Sequence, residues 1–275
     1  MELGGPSARA ASTSRERVRA AGPGRRGDRL ARAVPLGILA AGLALWELAA
    51  RAGRVSTLLY PPPSKIARAL AGLIENGSLA QHLVASLGRI TAGTLLGGGV
   101  GLVLGLGMGL SRRLRLAVDP VVAAAHPVPR LALLPLIFVV FGLGEAARIV
   151  VVAISCFFPM LINVTAGVRQ IDPLHLEVAR NFGASRLQRL VHVVLPGSFP
   201  AVAAGTRLAM ISALRTTLGV ELLASPSGLG YLLWFSFESF NIPQLYAALL
   251  VVVVVGFAAS WALQRWVARF TPRFA

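Results

Sequence analysis

The chain has 275 residues, of which 55% are hydrophobic, with a mean hydropathy of +0.70 and a formal net charge of +16. This apolar share exceeds that of a soluble domain and predicts an all-α integral membrane protein. The positive charges lie in clusters beside apolar stretches, which favours orientation by the positive-inside rule over nucleic-acid binding, so we expect no nucleic-acid partner.

The first part of the chain combines an arginine-rich run with an apolar stretch. Residues 1–32 contain Arg, Ala, Gly and Ser with almost no large apolar side chains, so we expect a disordered cytoplasmic tail before a membrane domain at 33–275. The same pattern is typical of a signal peptide cleaved near residues 49–52. We favour a retained first span, because cleavage would remove the tail that helps to orient the protein.

Apolar stretches of about 17 to 25 residues can cross a bilayer core. Pro127, Pro129, Arg130 and Pro135 interrupt the third stretch, which predicts a broken helix shielded by protein. We therefore expect a polytopic protein with about six transmembrane helices. The stretches are 34–50, 86–110, 118–142, 146–168, 199–224 and 245–264.

The distribution of arginine predicts the topology. Six spans place four arginine-rich regions on one side, which predicts that both termini are cytoplasmic. The opposite side keeps Arg51, Arg54, Lys65, Arg68 and Arg148. The four regions are the tail, the loop with Arg112, Arg113 and Arg115, the segment 172–196, and the C-terminal Arg265, Arg269 and Arg273.

A glycine ladder runs through the second stretch. Its members are four residues apart, so they form a slowly rotating stripe on which another helix can approach closely. Packing against a helix of the same subunit is favoured over a dimer interface or a pore wall. The ladder comprises Gly93, Gly97, Gly101, Gly105 and Gly109.

Several kinds of chemistry have no support in the sequence. Cys156 is the single cysteine, and the four histidines lie in separate segments, so we expect no disulfide and no metal site. Lys65, the single lysine, follows Pro63 and Ser64, so there is no Walker A motif. The sequence contains no motif that pairs a nucleophile with a base for catalysis, so we expect that this chain is not an enzyme.

The segment Asp172–Pro196 is a basic insertion between two apolar stretches. Asp172 is a good N-cap before Pro173, Gly183 can end the helix with positive φ, and Ser185 with Gln188 forms a capping box. The segment therefore predicts helix, turn, helix. The second helix has an apolar face of Leu187, Leu190, Val191 and Val194 and a polar face of Arg186, Arg189 and His192.

Within this segment, Glu177-Val178-Ala179, Gly183, Val193 and Leu195-Pro196 resemble the EAA loop of ABC importer permeases, with the spacing of that family. The resemblance covers most of the chain after about Ala33 and is closest to the branch that imports nitrate, sulfonates and taurine. Further matching segments are YPPPSKI (60–66), LALLPLIFVVFGLGE (131–145), FFPMLIN (157–163) and SGLGYL (227–232).

The resemblance implies that the segment is a coupling helix that contacts an ABC ATPase subunit. It further implies a homodimer in the bacterial inner membrane, two ATPase subunits that hold ATP and magnesium, and an extracytoplasmic solute-binding protein. No cofactor is then expected on this chain, which would form the pathway for a small anionic solute such as a sulfonate, taurine or nitrate. The coupling residues would be Glu177, Ala179, Gly183, Leu195 and Pro196.

An alternative function is that of an ion-coupled secondary transporter. Such a protein needs internal repeats and carboxylates at the membrane midplane. Glu47, Asp119 and Glu221 are few and scattered, which disfavours this alternative. A membrane-embedded enzyme is a more remote alternative.

Charged residues in the fifth stretch are candidates for the translocation pathway, since each costs roughly 2.5 to 3.5 kcal/mol at a helix centre. Arg207 matches a position where the family often has Arg, whereas Arg215 departs from the family. Arg130, in the third stretch, also departs from it and is a further pathway candidate, because the resemblance implies that its region lies near the pathway. Arg215 could favour an anionic solute, or it could pair with an acidic group on a neighbouring helix, and both possibilities stay open. Glu221 matches a recurrent acidic position and is expected to make a structural or gating contact.

The residues after Glu221 predict a turn followed by an aromatic segment. Ser225–Gly230 is rich in Ser, Pro and Gly, and Tyr231, Trp234, Phe235, Phe237 and Phe240 follow it. We expect this segment at the outer interface, as part of an outer gate or of the surface that receives the binding protein.

Overall fold

The computed structural model describes residues 25–270, apart from the side chains of residues 25–33, Leu36 and Phe270. Residues 1–24 of the expected disordered tail, and Arg273, lie outside this range. Residues 25–32 have a helical backbone, so the first helix begins earlier than the expected boundary at 33.

The chain divides into two units, residues 1–63 and 64–275. The first contains α1, Arg25–Arg51, whose apolar side chains such as Ile38, Leu39 and Leu45 are exposed. Near its end, Arg51 Nε donates to Glu47 Oε1 at 2.6 Å, one helical turn away.

The second unit is a helical bundle. Its long helices pack through apolar cores, and short helices occur at the chain reversals. In chain order the helices are α2 (Pro63–Glu75), α3 (Ser78–Leu110), α4 (Arg112–Ala125), a 3₁₀ turn (Arg130–Leu133), α5 (Leu134–Phe141), α6 (Glu145–Arg169), α7 (Pro173–Asn181), α8 (Arg186–Arg189), a π-helical turn (Leu190–Val194), α9 (Leu195–Ala224), α10 (Leu229–Glu238) and α11 (Ile242–Phe270).

Four helical segments of the described chain are long and apolar enough to cross a membrane: α3, α6, the continuous rod from Arg186 to Ala224, and α11. A fifth candidate joins Arg112–Ala125 to Arg130–Phe141 across an 89° bend. This bend confirms the predicted break in the third stretch. The predicted first span, 34–50, lies in α1, which is not among these candidates, and its membrane crossing stays a prediction.

The glycine ladder of α3 lies against α6 of the same chain. A Cβ on Gly101 would be 2.6 Å from the carbonyl oxygen of Phe157, and one on Gly105 would be 2.9 Å from Val164 Cβ. The absence of side chains thus allows the two backbones to approach closely. Hypothetical Cβ atoms on Gly93, Gly97 and Gly109 would likewise meet Val152, Ala153 and Val168.

Helix α6 is the centre of the bundle, because it packs on α3 with one face and on α9 with another. Between these helices, Val152, Cys156, Ala209 and Ala213 form a buried core, in which Cys156 Sγ lies 3.4 Å from the carbonyl oxygen of Ala209. Cys156 is therefore a small core residue in this fold.

Candidate functional site

The first half of the segment 172–196 has the predicted structure. Asp172 Oδ1 accepts a hydrogen bond from the Leu174 amide at 2.9 Å, and Pro173 begins α7. The helix ends at Asn181, and Gly183 adopts a φ of +76°, which a residue with a side chain rarely does. The predicted N-cap, helix and glycine turn are confirmed.

The second half begins with the predicted capping box. Gln188 Oε1 accepts from the Ser185 amide at 2.8 Å, and Ser185 Oγ accepts from the Gln188 amide at 3.2 Å. After α8 the chain forms the π-helical turn just before Pro196, which lacks an amide proton and whose ring would clash with the His192 carbonyl in a regular helix. The helix then continues without interruption into α9.

Only part of the predicted apolar face of the second helix packs against the bundle. Val194 is buried and Leu190 packs against the core around Val164 and Val168. Leu187 and Val191 are instead 69% and 45% exposed. The prediction assumed 3.6 residues per turn, whereas the wider turn from Leu190 to Val194 changes the register of the side chains that follow it; Leu187 precedes this turn.

Three of the five predicted coupling residues lie on or directly after α7, and the other two begin α9. Ala179 lines a groove of about 430 Å³ together with Leu174, His175, Val178, His192 and Val193. Glu177 is exposed on the same helix, and Gly183 forms the turn beside Phe182, whose side chain is 87% exposed. Leu195 and Pro196 begin α9. The region thus combines an apolar groove with a protruding aromatic side chain.

Glu221 is buried at the end of the bundle where α3 begins and α9 ends. Its side chain is 0% exposed and accepts from Arg89 Nη1 at 2.7 Å, from Ser86 Oγ at 2.8 and 2.9 Å, and from the Gly230 amide at 2.9 Å. A buried carboxylate needs such partners, because leaving it unpaired is costly.

Arg89 joins Glu221 to a second acidic residue. Its Nε and Nη2 donate to Glu145 at 2.8 and 2.7 Å, and Arg148 Nη1 donates to Glu145 Oε1 at 2.8 Å. We call Arg89, Glu145, Arg148 and Glu221 the four-charge cluster. Arg89 was not among the residues predicted from the sequence. An arginine inside an apolar stretch requires an anionic partner, and this requirement could have identified Arg89 from the sequence.

Arg207 and Arg215 lie on the same side of α9 and are both exposed. They line a cavity of about 410 Å³ between α3, α9 and α11, together with Thr91 and Ser260. Among the side chains that the structure describes, neither arginine forms an ion pair, so Arg215 has no acidic partner on a neighbouring helix within that part of the chain.

Arg130 lies elsewhere, at the bend between α4 and α5. Its Cζ is 5.5 Å from the centre of the Phe158 ring, a cation–π distance. His126 contacts the same ring edge-on, with centroids 5.6 Å apart. Arg130 and Glu221 therefore belong to separate sets of contacts.

Three curated proteins are similar to this chain over most of their length. The taurine transport system permease protein TauC of Escherichia coli (strain K12) is 32% identical over 242 residues, which cover 86% of this chain and 88% of TauC. The proteins named aliphatic sulfonates transport permease protein SsuC are 34% identical in both Bacillus subtilis (strain 168) and E. coli. The match to the B. subtilis protein spans 214 residues, which are 78% of this chain and 78% of that protein. The match to the E. coli protein spans 244 residues, which are 88% of this chain and 91% of that protein.

A chain from an inward-facing crystal form of the MetNI methionine ABC transporter has a similar fold, with a TM-score of 0.57 at 21% identity over 67% of this chain and 94% of that chain. This likeness supports the fold alone. Residues 97–275 match the family described as binding-protein-dependent transport system inner membrane component. Together with the relatives above, this match shows that the chain belongs to the family of inner membrane components of binding-protein-dependent transport systems.

Proposed function

We propose that this chain is the permease subunit of an ATP-driven ABC importer and that the segment 172–196 couples it to the ATPase. The observation that carries the proposal is the exposed apolar groove around Ala179, which lies beside the protruding Phe182. An apolar surface of this kind on a polar segment is typical of a protein–protein contact. The family and the names of the relatives agree with this assignment.

The helical rod supports a mechanism for coupling. The chain is continuously helical from Arg186 to Ala224, 39 residues, which corresponds to roughly 60 Å at about 1.5 Å per residue. A displacement of the coupling segment is therefore carried along a stiff element to the four-charge cluster at the other end. ATP binding and hydrolysis supply the displacement on the partner, since this chain lacks a Walker A motif.

The assembly that we propose has two copies of this chain, two ATPase subunits and an extracytoplasmic solute-binding protein. Both termini and the coupling segment face the cytoplasm, and the four-charge cluster and α10 face outward. Exposed apolar side chains on α5, such as Val139 and Val140, support a contact with lipid or with the second copy. The arginine distribution supports the orientation.

The solute that the charges favour is a small anion, such as a sulfonate. Glu145 and Glu221 are already paired with Arg89 and Arg148, and Arg207 and Arg215 form no ion pair with any described side chain. Both guanidinium groups therefore give their side of α9 a positive potential. Taurine and aliphatic sulfonates, for which the relatives are named, carry sulfonate groups that match this sign.

Substitution of Arg215 tests the proposed pathway role. We expect Arg215→Gln to lower sulfonate uptake about tenfold at an unchanged amount of membrane protein, and Arg215→Lys to retain most of the uptake because the charge remains. Arg207→Gln, in the same cavity, is the comparison and should have a smaller effect. Normal uptake by Arg215→Gln would remove Arg215 from the pathway.

The energy source separates the proposed function from the alternative of an ion-coupled transporter. Uptake by cells should stop when the ATPase subunit is removed and should continue when an uncoupler dissipates the proton gradient at constant ATP. The opposite pattern, uptake that survives loss of the ATPase and stops with the uncoupler, would identify a secondary transporter.

A further inference from the structure

The four-charge cluster also holds the loop 225–228, chiefly through hydrogen bonds from Arg89. Arg89 uses all five of its N–H donors: three go to Glu145 and Glu221, and two go to Ser227, with Nη1 at 2.7 Å from the carbonyl oxygen and Nη2 at 2.9 Å from Oγ. Arg89 is 3% exposed, so water does not compete for these bonds. A single side chain thus joins α3, α6, α9 and the loop 225–228.

The loop is also held through its backbone amides. The Gly228 amide donates to His82 Nδ1 at 3.1 Å and the Leu229 amide donates to Ser86 Oγ at 2.8 Å. The Gly230 amide donates to Glu221. These three amides belong to the loop and to the first turn of α10, where a helix has no internal acceptors. Side chains of α3 and α9 therefore replace the missing capping groups.

Two glycines let the loop lie directly on α9. Gly228 has a φ of +113°, and a Cβ there would overlap the Glu221 carboxylate. A Cβ on Gly230 would be 2.5 Å from the carbonyl oxygen of Leu218. Because there is no free space under the loop, it cannot shift on α9 without breaking the hydrogen bonds of the cluster.

Helix α10 follows this fixed loop and presents aromatic side chains at the surface. Its buried side chains Leu229, Leu232 and Ser236 anchor it, whereas Trp234 and Phe237 are 47% and 53% exposed. The position of these aromatic side chains thus depends on how firmly the loop is held. From the sequence, these aromatic side chains are expected at an outer gate or at the surface that receives the binding protein.

We propose that Arg89 is a positioning residue for transport: it fixes the loop 225–228 and α10 to α3 and α9, so that the outer mouth moves with the helices as one body. This inference rests on the proposed function. A loosely held loop would absorb part of the helix displacement, and ATP hydrolysis would then proceed without solute transfer. Arg89 acts through Glu221 and Ser227 and does not contact the solute.

The first test replaces Arg89 with lysine. Lysine keeps the charge but has three donors on one atom, so it cannot reproduce the planar five-bond arrangement. We expect Arg89→Lys to reach the membrane at normal levels and to hydrolyse ATP, while solute transported per ATP falls at least fivefold. Normal transport per ATP in this variant would overturn the positioning role.

The second test restores the position by a different bond. The rings of His82, at the start of α3, and Tyr231, in α10, have centroids 5.6 Å apart. In a Cys156→Ser background, His82→Cys with Tyr231→Cys can be bridged by a short thiosulfonate linker and released by reduction. Because His82→Cys removes the acceptor of the Gly228 amide, each bridged protein is compared with the same double-cysteine protein before bridging. We expect bridging to raise transport per ATP at least threefold when Lys replaces Arg89, and to change it by less than a factor of two when Arg89 is present.

Two outcomes would contradict the inference, and a third concerns only the proposed function. If bridging stops transport by the protein with Arg89, α10 must move away from α3 during transport. If bridging leaves the Arg89→Lys protein unchanged, the loss has another cause. The effect of bridging on the protein with Arg89 can still be measured if Arg89→Lys fails to fold. If transport is independent of ATP in every variant, the proposed function fails instead.

Discussion

Replacing Ala179 with aspartate is expected to abolish solute uptake while the protein still inserts into the membrane. Ala179 lines the apolar groove between α7 and the π-helical turn. A carboxylate buried there against a partner would be unpaired, at a cost of roughly 3 kcal/mol, which corresponds to about a 100-fold weaker contact. Uptake of labelled solute and the amount of membrane protein are the two measurements.

The matched control is Asn181→Asp. This substitution adds the same charge to the same helix, but Asn181 is exposed at the end of α7 and does not line the groove. We expect uptake by the control to stay within a factor of two or three. Ala179→Asp protein that transports normally, or a control that fails equally, would show that the groove is not the contact.

Replacing Gly97 with alanine is expected to give the largest loss of stability among glycine-to-alanine substitutions in α3. The new Cβ would overlap the backbone of Ala153, with the carbonyl carbon at 2.5 Å and Cα at 2.7 Å. Backbone atoms cannot move aside as a flexible side chain can, so α3 and α6 must separate. Overpacking of this kind costs about 1 to 3 kcal/mol or more. A thermal unfolding series in detergent measures the change.

Gly99→Ala provides the control on the same helix. Nothing lies within 4 Å of a Cβ at Gly99, and alanine favours a helix over glycine by about 1 kcal/mol. The control should therefore be as stable as the parent or more stable. Equal stability of Gly97→Ala and Gly99→Ala would contradict the close contact between α3 and α6.

Local features of the sequence were predictable because each depends on only a few neighbouring residues. The N-cap at Asp172, the turn at Gly183 and the capping box of Ser185 and Gln188 follow from the side chains and backbone preferences of these residues themselves. The bend in the third stretch was predictable for the same reason, since proline interrupts a helix wherever the chain folds.

Features that depend on distant residues could not be predicted. Arg89 and Glu221 are 132 positions apart, and a single sequence does not indicate which arginine reaches which acid. The π-helical turn at 190–194 was missed because its register depends on how Leu190 and Val194 pack against α6. The same limit left Arg215 with two open interpretations.

A cross-link at Phe182 tests most directly whether the coupling segment contacts the ATPase. Phe182 is 87% exposed at the tip of the segment, and Cys156→Ser removes the single native thiol. In membranes containing the ATPase subunit, a short thiol-to-amine cross-linker on Phe182→Cys should give a covalent adduct with that subunit. The contradicting result is labelling of Phe182→Cys by a membrane-impermeant thiol reagent added outside intact cells, with no ATPase adduct.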